Sequence, residues 1–299
     1  MTLLPLIDAC AQQLAAAGVS FGHGTMNAQD EAAWLVLWQL GLPLDTPLDG
    51  EDNQADTPVA QEKQALVHAL VAERIRSRKP AAYLTHEAWL QGFSFYVDER
   101  AIVPRSLIAE LLVDGGMDYF LRASTHKVLD LCTGNGSLAV IAASVFPDVV
   151  VTASDLSVDA LAVARINVDK HDLQDRITLV QSDGLRAPEL AACGPFDLIV
   201  CNPPYVNAHS MAALPAEYRA EPALALDGNV SGGSDGMDFV RALLQEVGVH
   251  LNPQGVLVLE IGNERPYFEA AFPSLEVIWL ETSAGEDQVL LVTRETLYP

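Results

Sequence analysis

Positive charge is scarce in this chain. Its 299 residues carry 17 lysines and arginines against 40 aspartates and glutamates, for a formal net charge of -23. Lys and Arg contacts to phosphate supply most non-specific affinity for nucleic acid, so this balance argues against a broad DNA-gripping surface. A basic protein partner suits it better. Cysteine is also scarce: Cys10, Cys132, Cys193 and Cys201 form no CxxC pair and share no regular spacing. That excludes a disulfide framework or a zinc knuckle, and points to reduced thiols, a cytoplasmic setting and no bound metal. No window approaches the roughly 20 uninterrupted apolar residues of a membrane helix. The opening stretch MTLLPLIDACAQQLAAAGV has no basic leader and carries Asp8 among its apolar residues, so no secretory signal is expected. Internal repeats and low-complexity tracts are missing as well. What remains is a globular composition, 50% hydrophobic and 19% charged, long enough for two domains.

The spacing of apolar residues divides the chain. Residues 3–17, 28–40 and 59–78 carry them at helical intervals, with the Pro-, Asp- and Gly-rich segment LPLDTPLDGEDNQADTP between the second and third. Residues 89–103, WLQGFSFYVDERAIV, alternate around Asp98-Glu99 and predict a hairpin. From Lys127 onward, KVLDLCTG, VVVTASD, RITLVQSD, FDLIVCN and GVLVLEIG read as strands, with helical segments such as 158–168 and 236–247 between several of them. That alternation predicts an α/β, doubly wound, mostly parallel sheet. EVIWLET and DQVLLVTR are separated by a few residues containing Gly285, so they should pair and add an antiparallel strand. The expected organisation is a small helical domain over 1–85, a hairpin linker over 86–108 and a Rossmann-like α/β domain over 109–299.

Two stretches carry chemistry. Asp130-Leu-Cys-Thr-Gly-Asn-Gly136 ends the first sheet strand and opens a helix, where glycines let a ligand approach the backbone and unpaired N–H groups are offered. Gly134-x-Gly136-x-x-Ala139 with Asp155 downstream also fits the dinucleotide fingerprint, so a nicotinamide enzyme is a rival on these residues. Three aspartates favour S-adenosylmethionine. Asp130 sits where a carboxylate suits a cationic ligand better than a pyrophosphate. Asp155 ends the second strand in position for two ribose hydroxyls, and Asp183 ends the third in reach of an adenine amino group. The second stretch is Asn202-Pro-Pro-Tyr205. Neither Pro203 nor Pro204 can donate to a ladder, so the fourth strand must stop at Asn202. That end of an open α/β sheet is where ligands bind.

An Asn-Pro-Pro-Tyr at the fourth strand after a glycine loop at the first resembles the amino-methyltransferases that act on adenine, cytosine or glutamine side chains. FYVDERAIVPRS (95–106), LPAEYRAEPALAL (214–226) and GGSDGM (232–237) narrow the resemblance to the protein-(glutamine-N5) methyltransferases. FGHGT (21–25), AAYLTHEAW (81–89) and DLCTGNG narrow it to the branch that modifies ribosomal protein L-three, since release-factor enzymes usually have Gly where Cys132 stands. Asn135, where Ser or Thr is common, and Leu107, where Pro often follows Pro-Arg-Ser, depart from the pattern without removing a catalytic group.

The resemblance implies a seven-stranded methyltransferase fold, a helical domain that recognises the substrate, and S-adenosylmethionine as cofactor. It would be held by Arg105, Asp130, Cys132, Thr133, Gly134, Asn135, Gly136, Asp155, Leu156, Asp183, Gly184 and Asn202. The Asn202 side-chain oxygen and the Pro203 carbonyl would accept the two N–H bonds of the target amide, with Tyr205 packed on its plane. Pro204, Glu217 and Tyr218 would complete the acceptor site. The implied substrate is a glutamine in a basic ribosomal protein, free or in an assembling ribosome. A release factor is the alternative acceptor and the adenine of DNA a more distant one. A methylation-dead assembly factor is the non-enzymatic reading. The run Arg74 to Lys79 is the one concentrated basic patch, read as a solvated helix face with ribosomal RNA as a possible contact.

Overall fold

A computed structural model of the chain describes residues 1–122 and 124–297. The chain forms two compact units: Met1–Ala88 with Leu214–Glu221, and Trp89–Ala213 with Pro222 onward. The first contains α1 (Leu3–Ala16), α2 (Ala28–Leu40), α3 (Gln61–Ser77) and α4 (Ala81–Thr85). These match the expected helices at nearly the expected bounds, with α4 in addition. Asn27 caps α2 by accepting from the Gln29 and Asp30 N–H groups. Leu6, Ile7 and Leu14 of α1, Leu35 of α2 and Val67 and Val71 of α3 are fully buried. Every third or fourth residue thus faces a shared core.

That unit has an ionic centre. Arg74, on α3, is fully buried. Its Nε donates to Glu31 of α2 at 2.8 Å and its Nη1 to Glu217 at 3.3 Å, while Nη2 donates to the Ser20 carbonyl at 3.0 Å. Arg78 adds a 2.8 Å contact from Nε to Glu217. Burial raises the Glu31 carboxyl's pKa, and the Arg74 charge opposes that rise. The expectation of an open basic patch at 74–79 is therefore corrected: Arg74 points inward, Arg78 is tied to Glu217 and to the carbonyls of Ala17 and Gly18, and Arg76 pairs with Glu73. Helical periodicity explains it, since 74 follows 67 and 71 on the apolar face.

Next along the chain is a hairpin, β1 (Ala88–Leu90) and β2 (Phe93–Phe95), all but its first residue in the second unit. Its turn lies at Gln91-Gly92, both at positive φ, and not at Asp98-Glu99 as the alternation suggested. Asp98 instead accepts from Arg100 and the Tyr96 hydroxyl, and those Arg100 bonds hold its carboxyl at about 2. Then come α5 (Ile108–Val113), β3 (Lys127–Leu131), α6 (Ser137–Val145), β4 (Val150–Asp155), α7 (Val158–Lys170), β5 (Ile177–Gln181), α8 (Pro188–Cys193), β6 (Phe196–Cys201) and α9 (Ala208–Ala213). The chain visits the first unit with α10 (Ala216–Arg219). It continues with α11 (Asp238–Glu246), β7 (Leu251–Glu260), α12 (Arg265–Ala271), β8 (Ile278–Thr282), β9 (Gly285–Thr293) and α13 (Arg294–Leu297).

The seven-stranded sheet runs β5-β4-β3-β6-β7-β9-β8. β9 pairs antiparallel with β7 on one side and β8 on the other, so the expected antiparallel strand lies inside the edge hairpin. Both faces are covered. Val128, Leu198, Val200 and Val258 bury one way with α6, while Leu129, Ile199, Leu257 and Leu259 bury the other way with α11. Apolar residues on both sides of a strand are what a doubly wound sheet demands. No helix among the described residues is long and apolar enough to cross a membrane.

Replacing Arg74 by Ala would leave Glu31 and Glu217 buried without their common cation. The expected cost is about 3–5 kcal/mol of unfolding free energy in urea titration, and a loss below about 1 kcal/mol would contradict the buried-pair account.

Candidate active site

The carboxyl ends of β3, β4, β5 and β6 open into one cleft, lined by Leu131, Cys132, Gly134, Asp155, Leu156, Asp183, Gly184, Asn202 and Pro204 among others. At the end of β3 the chain turns on Cys132, Gly134 and Gly136, all at positive φ. A Cβ on Gly136 would stand 3.1 Å from the Ala164 side chain of α7, so a side chain there would wedge the glycine loop off its helix. Gly134 is different. Nothing lies within 4 Å of where its Cβ would be, and the open space belongs to the cleft. Cys132 holds φ at 62°, a region a side chain enters at a cost of about 1–2 kcal/mol. The adjacent Cys201 thiol and burial raise its pKa well above the ordinary value, so it lines the cleft as a neutral thiol.

Carboxylates shape this loop. Asp130 is fully buried; its Oδ2 accepts from Thr133 Oγ1 at 2.5 Å and from the Ala139 N–H of α6 at 2.9 Å. Its other oxygen is buried without a protein partner. Burial raises its carboxyl to about 7. Asp155, at the end of β4, accepts from Gly134 N–H at 2.9 Å and Ser157 N–H at 2.8 Å, so its orientation is set from both sides of the cleft floor. Asp183 is exposed, reaches the same cleft and pairs with Arg186 at 2.9 Å. Among the walls, Leu156, Leu224 and Val230 are between 47% and 55% exposed, an apolar lining suited to a ligand that carries flat, uncharged surface.

Asn202 follows the last residue of β6 and is partly exposed in the cleft. The turn after it is braced from several directions. Val206 N–H donates to Leu226 O at 2.9 Å, and its carbonyl accepts from Gly228 N–H and Asn229 Nδ2 at 3.1 Å each. Asn207, five residues beyond Asn202, gives its amide to both Glu264 oxygens at 2.8 and 2.9 Å. One asparagine is thus committed to the scaffold, and the other faces the ligand space.

The structure brings Cys132, Gly134, Asp155, Leu156, Asp183, Gly184, Asn202 and Pro204 together in the cleft. Asp130, Thr133 and Asn135 lie behind it: they are buried, and Asn135 turns its side-chain oxygen to Ser137 N–H at 3.2 Å. Pro203 is buried, and the Tyr205 ring rests on Gly262. Arg105 donates to the Val103 carbonyl and lends its charge to Glu260 and Tyr205 instead of lining the cleft. Glu217 and Tyr218 belong to the helical unit, not to the cleft: Glu217 is fully buried against Arg74, and Tyr218 stacks on His23 at 4.3 Å. Glu217 is thus committed within the helical unit to the fully buried Arg74 and the half-buried Arg78, where the sequence reading expects a contact with substrate.

Two contributors went unread in the sequence. Arg100, Ala101 and Ile102 form one wall of the cleft. Asn167, mid-helix on α7, donates to the Asn135 and Tyr96 carbonyls at 2.8 and 2.9 Å and accepts from the Tyr96 N–H at 2.7 Å. It ties the glycine loop to the segment after β2. A lone polar residue on the buried face of a helical pattern was the available signal.

This sheet order, with a glycine loop at β3 and ligand-facing carboxylates beyond it, is that of S-adenosylmethionine-dependent methyltransferases. A sequence model described as "Methyltransferase small domain" matches residues 110–226. The hMettl16 catalytic domain, solved in complex with the MAT2A 3′UTR hairpin 1, superposes with a TM-score of 0.53 at 12% identity, over 82% of this chain and 84% of that one, which speaks for the fold alone. A ribosomal protein uL3 glutamine methyltransferase of Bordetella pertussis is 52% identical over 298 residues, covering 99% of this chain and 96% of that protein. Another, of Burkholderia pseudomallei, is 50% identical and covers 97% and 94%. The chain belongs to the ribosomal protein uL3 glutamine methyltransferase family. S-adenosylmethionine is its methyl donor, and the cleft fits that molecule: open space above Gly134, an oriented carboxylate at Asp155 and apolar walls beside it.

Asp130 has a testable electrostatic signature. A carboxyl near 7 in the folded chain and near 4 in the unfolded chain holds its proton better when folded, so stability falls as pH rises from about 4 to 7. Asp130→Asn should flatten that decline, by up to about 4 kcal/mol across the window, in urea titrations at stepped pH. Parallel curves for the two proteins would contradict it.

Proposed function

We propose that this chain transfers a methyl group from S-adenosylmethionine to the side-chain nitrogen of a glutamine in ribosomal protein uL3. The observation that carries the reading is Asn202, placed in the cofactor cleft at the end of β6 by a braced turn. A carboxamide nitrogen is a poor nucleophile because its lone pair is delocalised into the carbonyl. The Asn202 side-chain oxygen and the Pro203 carbonyl accept its two N–H bonds, favour a tetrahedral nitrogen and aim the lone pair into the cleft. S-adenosylmethionine, when bound, would supply an electrophilic methyl on a sulfonium, whose sulfur keeps the bonding pair and leaves as a neutral thioether. The two acceptors strengthen their hold as positive charge grows on nitrogen, so they stabilise the transition state above the ground state. Because the turn is fixed in advance, alignment supplies a large share of the rate, up to about 7–11 kcal/mol, and no strong general base is required. The cationic amide product is acidic and loses its proton to water.

Asp155 would hold the ribose hydroxyls and Asp183 the adenine side, with Leu156, Leu224 and Val230 as the apolar walls beside them. Asp130 sets the glycine loop from behind. Tyr205 contributes the floor of the acceptor side. The helical unit over the first 85 or so residues recognises uL3, in the cytoplasm, and an assembling ribosomal particle is the natural setting for a substrate not yet buried in rRNA. Net charge favours uL3 over DNA: 40 acidic residues attract a basic protein and repel a duplex.

Three outcomes follow. Ribosomal protein uL3 from cells lacking this chain should be lighter by one methyl on a single glutamine, by peptide mass spectrometry; an unchanged mass would contradict the reading. Asn202→Ala should lower kcat by at least about 10²–10³-fold, with a much smaller loss of S-adenosylmethionine affinity by calorimetry, and an unchanged kcat would contradict the reading. KM for uL3 should rise steeply with salt, and a flat salt profile would remove charge attraction from the account.

A further inference from the structure

Glu260 is the last residue of β7, and β7 pairs with β6. Cys201 stands opposite Leu259, so Glu260 occupies the register position beside Asn202 at the carboxyl edge of the sheet. Its neighbours along the strand, Val256 to Leu259, are apolar and at most 3% exposed, and Glu260 itself is 4% exposed. A carboxylate in such a place must be bonded or it destabilises the fold by several kcal/mol. It is bonded. Oε2 accepts from Ser106 Oγ at 2.6 Å and from Leu107 N–H at 2.9 Å, and Ser106 Oγ accepts in turn from Ile108 N–H at 3.2 Å.

Tyr205 lies on the same ground. A Cβ on Gly262 would be 2.7 Å from the tyrosine ring and 3.0 Å from its hydroxyl, so the ring is seated two residues beyond Glu260 where only a glycine leaves room. Burial first, and then the Glu260 charge, push the phenol above its ordinary range, so the hydroxyl stays protonated and faces the carboxylate as a donor. Arg105 lends an opposing positive charge to both. None of Glu260, Ser106 and Tyr205 lines the cofactor cleft.

We infer that Glu260 is a positioning residue for methyl transfer: it fixes the Ser106–Leu107 segment and the Tyr205 hydroxyl together, and so sets the Asn202 turn from the neighbouring strand. The inference rests on the proposed amide chemistry at Asn202. Because Glu260 stands off the cleft, its loss acts on alignment of the acceptor and not on cofactor binding. Misplacing a reacting group by about 1 Å costs on the order of 10²-fold in rate.

The test is steady-state methylation of uL3 by wild type, Glu260→Ala and Glu260→Gln, with S-adenosylmethionine affinity measured by calorimetry on the same preparations. Glu260→Ala should lose about 10²-fold in kcat with cofactor affinity near wild type, and Glu260→Gln, which keeps an oxygen acceptor for Ser106 and Leu107, should recover most of that loss. Wild-type kcat in Glu260→Ala overturns the inference, as does a parallel loss of kcat and cofactor affinity. If Glu260→Ala does not fold, Tyr205→Phe removes only the hydroxyl: a drop of about tenfold in kcat at unchanged cofactor affinity supports the link, and an unchanged kcat overturns it. A wild type that is silent on uL3 overturns the acceptor assignment and this inference with it, whereas an active wild type beside an equally active Glu260→Ala overturns the inference alone.

Discussion

The parallel register of β4, β3 and β6 is the constraint on which the site depends. Asp130 pairs with Ala153 on one side and Val200 on the other, so the three strands run out at a common edge. One strand end then supplies the glycine loop, the next Asp155 and the third Asn202, with no long loop needed to bring them together. β7 extends the same edge and delivers Glu260 beside Asn202. Because these strands are buried on both faces, a slip by one residue would send every apolar side chain to the wrong layer, which fixes the register firmly. The chemistry inherits its precision from that packing.

A second layer of buried and half-buried polar groups converts strand ends into a fixed site. Asn167 holds the glycine loop to the segment after β2, Glu264 holds Asn207, and Asn229 holds the Val206 carbonyl. Each is a side chain satisfied by backbone or amide groups of a loop, so each loop's conformation is set before any ligand arrives. This suits a reaction with little acid–base chemistry, in which rate comes from alignment and from acceptors that strengthen as charge develops. The helical unit is organised around a different polar centre, Arg74 between Glu31 and Glu217. The segment carrying Glu217 follows the Asn202 turn by only a few residues of sequence, and the chain returns to the catalytic unit at Pro222.

Much of this was legible in the sequence, and the misses have physical causes. Local patterns recovered α1, α2 and α3, the strands of the parallel sheet, the closing hairpin and the two turns of the cleft, because burial on one or both faces writes itself into apolar spacing. The hairpin turn was misplaced to Asp98-Glu99: an acidic pair looks like a turn former, while Gln91-Gly92 took the positive φ values and Asp98 was drawn to Arg100. Arg74 looked like a surface residue because it sits in a basic run, although its spacing from Val67 and Val71 puts it on the buried face. Glu217 and Tyr218 enter the expected acceptor site through the family resemblance, and the contacts of Glu217 with Arg74 and of Tyr218 with His23 are long-range ones that no local pattern records. Asn167 and Glu260 are the same kind of case: single polar residues whose partners lie 71 and 154 positions away.

The most direct measurement offers the pure protein labelled S-adenosylmethionine with three acceptors side by side: ribosomal protein uL3, a peptide release factor and unmethylated duplex DNA. Label on one glutamine of uL3, and on neither of the others, is the result this account predicts. Label on the release factor or the DNA, with uL3 left unmodified, would contradict it.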